Sequence, residues 1–217
     1  MDLSVFSPSS ALLTVILLAV APFVAVMVTS FTKIVVVFSL LRNALGVQRV
    51  PPNLVLNGLA LILSIFVMYP TTQEMMTRVA GVENITQSTE QLLNAAEEAK
   101  EPLQGFLLKH SEPREREFFY ASIQQMLPEE ERDEVSEDDL VVIIPAFTIS
   151  ELTEAFQIGF LIFLPFIVID LVVANILMAM GMMMLSPTIV SLPFKLLLFV
   201  LVEGWAKLAH GLIASYI

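Results

Sequence analysis

Four long apolar stretches dominate the chain, at residues 11–41, 54–69, 155–185 and 188–202, and residues 140–150 form an apolar approach to the third. A helix that crosses a bilayer needs about 20 apolar residues, because each adds 1.5 Å toward a hydrocarbon core about 30 Å thick. The first and third stretches exceed that length and the second and fourth fall short of it, so a simple four-span bundle fits badly. The order long, turn, short occurs twice. Pro22-Phe23 lies within the first long stretch and Pro51-Pro52 precedes the first short one; Pro165-Phe166 and Ser186-Pro187 take those places in the second half. The pattern predicts an all-α, integral-membrane-type protein of two long helical hairpins, residues 1–70 and 140–217, flanking a polar insert at 71–139. Whether the halves share an ancestor is left open, since prolines are common in long apolar helices.

Within the insert, Ser88 or Thr89 is placed to cap a helix carrying Leu92, Leu93 and Ala96, and Pro102 marks a boundary before Leu103. After Pro113, Phe118, Phe119, Ile123 and Met126 recur at helical spacing. The insert is therefore expected to be a small helical subdomain, with residues 129–139 as a solvated acidic run.

Composition sharpens this picture. The 217 residues are 56% hydrophobic and 15% charged, and the mean hydropathy is +0.79, far from an ordinary soluble domain. The net charge of −11 lies wholly in the insert, where 17 acidic residues face 6 basic ones; the rest of the chain carries 5 of each sign. Such an insert repels phosphates, which disfavours nucleic acid as a partner. The chain has no Cys and only two His, so disulfides, thiolate nucleophiles and cysteine-based metal sites are excluded. His110 and His210 lack metal-spaced neighbours, and no phosphate-cradling loop or nucleophile triad occurs. Neither an enzyme nor a bound cofactor or metal is expected.

Charges inside the apolar stretches are the candidate functional positions. Lys33, Asp170 and Lys195 would each cost about 2.5–3.5 kcal/mol at the centre of a bilayer, so they are expected to face protein or water. With Asn53, Asn57, Asn175, Glu151 and Glu154 they form a set of polar contacts suited to helix-to-helix assembly. Glu151 and Glu154 are three residues apart on one helix face, where a single basic group can meet both. That group belongs either to this chain or to a neighbour. Residues 1–10 lack Lys and Arg and show no cleavage pattern, so no cleaved signal peptide is expected. Arg42, Arg49 and Lys195 place the two hairpin turns in the cytoplasm and the insert outside, while Arg78 opposes that orientation.

Residues 178–184 contain five Met, with Gly181 among them. Met is unbranched and adaptable, so the cluster serves either as ordinary core filling or, repeated around an axis, as a deformable ring that excludes hydrated ions. Gly181 is a natural point for the backbone to leave a helix.

Several runs together resemble the R subunit of the type III secretion export apparatus and its flagellar counterpart, the P subunit. In the first half these are Phe31-Thr32-Lys33, the run from Ser39-Leu40-Leu41-Arg42-Asn43 to Gly46-Val47-Gln48, and Pro51-Pro52-Asn53. In the second they are Ala155-Phe156-Gln157-Ile158-Gly159-Phe160, Pro165-Phe166-Ile167-Val168-Ile169-Asp170, Met180-Gly181-Met182-Met183-Met184 and Ser191-Leu192-Pro193-Phe194-Lys195. The resemblance implies a core export-gate subunit of a bacterial injectisome, in the inner membrane with the insert on the periplasmic side. It implies a homo-oligomer, a pentamer, joined by the S, T and U components into a helical cone held by the basal-body rings and passing unfolded proteins. By the same resemblance Met182, Met183 and Met184 match the family's methionine gasket, and energy use belongs to other subunits. The absent signal peptide points to the injectisome branch. Two alternatives rest on the residues alone: a small-solute or proton-coupled transporter using Asp170 and Lys33, and an intramembrane hydrolase, for which no catalytic pair is evident.

Overall fold

In the computed structural model every element among the described residues is helical, with no strand. The structure describes residues 25–47, 50–81, 89–182 and 184–217 together with 15, 19, 22 and 23, and of residues 89–95 the backbone alone. Among the described residues seven α-helices are delimited: α1 Phe31–Ala44, α2 Asn53–Ala80, α3 Thr89–His110, α4 Pro113–Met126, α5 Leu140–Ala179, α6 Pro187–Leu201 and α7 Gly204–Ala214, with a 3₁₀ turn at Glu129–Glu134.

The predicted long–short order does not survive in the first half. Helical backbone at residues 25–27 is interrupted at 28–30, where Thr29 and Thr32 turn their hydroxyls onto the Ala25 and Val26 carbonyls and compete with the helical ladder. Helix α1 restarts with only 14 residues, while α2 runs on through Pro70 to 28. In the second half, the approach at 140–150 and the long stretch fuse into one 40-residue helix, α5, that passes Pro145 and Pro165. Pro102 likewise lies inside α3 instead of starting a new helix. Each of these prolines removes one N–H from a helix whose neighbours supply the packing, so the helix continues.

Helices α1 and α5 form the centre, and α2, α3, α4 and α6 pack around them. Helix α1 buries Ile34, Val37, Phe38, Leu41 and Ala44, a 3–4 spacing that defines one face. In α2 the buried set is Leu56, Ala60, Ser64 and Met68, one residue per turn, and the Ser64 hydroxyl accepts from Ser30 at 3.1 Å. One core cluster joins Met68 of α2, Phe106 and Leu107 of α3, Ile143 and Phe147 of α5, and Tyr216 beyond α7. Through it the acidic insert is fastened to the apolar helices. The apolar spacing in α4 has a different outcome: no α4 residue is buried, and Phe118 and Met126 lie open.

The outer faces are strongly apolar. Leu54, Ile62, Ile65 and Phe66 of α2, Phe156, Phe160, Leu161 and Leu171 of α5, and Ile189, Leu197 and Val200 of α6 are all exposed. Helices α2 and α5 are long and apolar enough to cross a membrane, and α6 with α7 qualify only if taken together across a 59° bend. At 40 residues α5 extends about 60 Å, twice the hydrocarbon thickness. Lipid alone cannot cover such a helix if it stands upright.

Candidate functional site

Six of the sequence-predicted polar residues are brought into two clusters and one turn. Lys33, 1% exposed, projects from α1 toward α5, where its Nζ lies 2.9 Å from Glu151 and 2.7 Å from Glu154. The single basic group expected to meet both acids is thus in the same chain. Glu151 is fully buried, whereas Glu154 is 38% exposed. The close contact with Glu151 Oε1 is off the hydrogen-bonding direction, which leaves that oxygen without a donor. The Tyr216 hydroxyl donates to the other oxygen, Oε2, and Lys33 Nζ sits 4.0 Å over the Tyr216 ring. Such a cation–π contact is strengthened by the loss of water around it.

Around Tyr216 the walls are aromatic. Phe106 stacks on it at 6.2 Å and His110 meets it edge-on at 5.1 Å. Burial, with the nearby Lys109 and Lys33 cations, lowers the His110 pKa to about 4, so the ring is neutral at physiological pH.

The second cluster ties α5 to α6 and α1. Asp170 accepts from Lys195 Nζ at 2.6 Å and from Ser191 Oγ at 2.5 Å. Lys195, buried, also donates to the Ala44 carbonyl at 3.3 Å. That carbonyl is at the C-terminus of α1, where a cation is favoured by the helix dipole. Asp170→Ala leaves Lys195 without its carboxylate. Because Asp170 is partly exposed, the expected loss lies below the usual 3–5 kcal/mol for a broken buried pair, at about 2 kcal/mol. Thermal unfolding of the detergent-solubilised protein reads it, and an unchanged midpoint would count against the pairing.

At the first turn Arg42 Nη1 donates to Asn53 Oδ1 at 2.5 Å and to the Pro51 carbonyl at 3.4 Å. Asn57 and Asn175 join neither cluster; both are exposed on apolar faces, of α2 and α5 respectively.

The Met run leaves the helix where Gly181 was expected to break it. Gly181 has φ +73°, its N–H donates to Met178 O and the Met182 N–H donates to Leu177 O. These two bonds form a Schellman closure, which glycine accommodates without strain. Ser186 and Pro187 then open α6. Met182 is 42% exposed and Met184 fully so, while Met183 lies outside the described residues. Neither Met182 nor Met184 is buried in the core.

Sequence reasoning missed Tyr216 and Ser191. Ser191 was visible in principle, four residues before Lys195 and hence on its face of α6. Tyr216 carried no such signal, since its partners come from three distant segments. Among the described residues no group of His, Asp and Glu is arranged to hold a metal.

Paired internal charges and long uncovered apolar faces define a helical protein whose surface is completed by a bilayer or by other subunits. The chain belongs to the FliP family, whose model matches residues 12–212. It is 50% identical to the hypersensitivity response secretion protein HrcR of Ralstonia nicotianae, over 96% of this chain and 97% of that one. It is 52% identical to the Yop proteins translocation protein R of Yersinia pestis, over 92% of each chain. It is 46% identical to the virulence protein YscR of Salmonella typhimurium, over 97% of each.

Proposed function

We propose that this chain is an export-gate subunit of a bacterial type III secretion injectisome, placed in the inner membrane with its acidic insert on the periplasmic side. The observation that carries the reading is the extent of exposed apolar surface on α2, α5 and α6 in a chain that matches the FliP family over nearly its whole length. Relatives named for secretion of hypersensitivity and Yop proteins favour the injectisome branch over the flagellar one. Copies of the chain, five by family resemblance, associate through these faces with the S, T and U components inside the basal-body rings. Unfolded substrate proteins pass through the centre.

The polar groups fit this role. Lys33 and Asp170, which motivated a transporter, are each neutralised within the chain and serve to fix the subunit. Asn57 and Asn175 remain for contacts between subunits, since an amide on a lipid-facing surface lacks partners. Met182 and Met184, exposed just beyond the end of α5, and Met183 between them in sequence are suited to meet their equivalents around an axis and close it to ions.

Native mass spectrometry of the detergent-extracted protein, alone and with the other small subunits, tests the assembly: a defined oligomer that takes them up is expected, and a monomer that ignores them overturns the reading. Changing Met182, Met183 and Met184 together to Ala is expected to raise ion conductance of the assembled complex in planar bilayers severalfold. Wild-type conductance in a fully assembled complex would remove the gasket role.

A further inference from the structure

Helices α6 and α7 are separated by a corner whose backbone is strained at Glu203 and whose packing admits only glycine at 204. Glu203 has φ 53° and ψ 44°, a left-handed conformation that disfavours a residue with a Cβ. The α7 amide groups at the corner receive no side-chain cap from Glu203, although the first N–H groups of a helix lack internal partners. The backbone of Gly204 carries the Phe199 ring so closely that a Cβ there would lie 2.0 Å from Phe199 Cε2. In a continuous helix residues five apart lie on different faces, so a side chain at position 204 would there be clear of Phe199. A continuous helix would also pair the open α7 amides with the carbonyls at the end of α6.

What holds the bend is the packing of α7 and the residues after it. Trp205 meets Phe199 edge-on at 5.4 Å and Phe38 of α1 at 6.0 Å. Leu212 is buried in the core formed by α1 and α2. Tyr216 inserts among α1, α3 and α5, donating its hydroxyl to Glu151 beneath Lys33. The strain is at one end of α7 and the fastening at the other.

We propose that the α6–α7 corner is a latched hinge: seating Tyr216 against Glu151 and Lys33 holds α7 bent at Glu203-Gly204, and unseating it lets α6 and α7 join as one straight helix. The device stands on this chain's own geometry and does not depend on the export-gate reading. It provides a route by which a disturbance at the Lys33 cluster is converted into a swing of α7.

The chain contains no Cys, so spin labels at exposed Ile189 and Ala214 report the bend without background substitutions. From the helical rise and the 59° bend, straightening lengthens their separation by about 5 Å. Electron–electron double resonance on the full chain, diluted with unlabelled protein, is expected to give the short distance alone. Tyr216→Phe, which removes only the hydroxyl, should add the longer distance, and Gly204→Ala should shift the population toward it. Adding Glu203→Gly to Tyr216→Phe should restore the short distance, because glycine removes the strain at the corner. Helical circular dichroism separates straightening from unfolding. If Tyr216→Phe and Gly204→Ala both fold and keep the short distance, the hinge is overturned. If Gly204→Ala fails to fold, an unchanged distance in Tyr216→Phe overturns it alone.

Discussion

Lys33→Met is expected to destabilise the protein by about 3–5 kcal/mol, the cost of leaving a buried charge without its partner. Glu151 is fully buried, has one oxygen with no hydrogen-bond donor, and depends on Lys33 for its neutralisation. Chemical unfolding in detergent solution measures the loss. The double variant Lys33→Met with Glu151→Gln should recover most of it, because no buried charge remains and the amide oxygen still accepts from Tyr216. If the two substitutions instead destabilise additively, the pair is not energetically coupled. Glu154→Gln, at the exposed side of the same cation, should cost less than about 1 kcal/mol. The contrast separates the carboxylate that fixes the fold from the one at its edge.

Phe147→Ala is the second large effect, at about 3–5 kcal/mol for removing a fully buried aromatic ring. Phe147 packs against Phe106 of α3 at 5.7 Å within the cluster that also holds Met68, Ile143 and Tyr216. The cavity would therefore open between the insert and the apolar helices. Hydrogen exchange is expected to show loss of protection from Leu103 to His110 ahead of α1. Uniform loss across all helices would mean that the insert and the hairpins unfold as a single unit.

How far the sequence exposed this arrangement depends on the range of each interaction. The helical class, the break at Gly181 and the shared face of Glu151 and Glu154 follow from local spacing, and the structure places each as expected. The partner of those acids did not follow, since Lys33 is more than a hundred residues away and only the α1–α5 packing joins them. Proline misled at one position: Pro102 lies inside a helix that continues through it, whereas Pro165 lies within its long helix as expected and the interruption at 28–30 carries no proline. In α4 the spacing of Phe118, Ile123 and Met126 identified a helix but not its burial, and no residue of it is buried, because periodicity reports a face and says nothing of what covers it. The same limit applies to Asn57 and Asn175, which are exposed and join neither ion-pair cluster.

The turn after α5 has a chemical consequence. Its Schellman closure at Gly181 projects Met184 completely into the surroundings, with Met182 nearly half open beside it. Thioether sulfur in that position is oxidised readily, and the sulfoxide is polar where the parent side chain is not. A newly made subunit therefore carries oxidisable thioethers at this turn, and the rate at which peroxide converts Met184 becomes a footprint of whether neighbouring chains have closed over it.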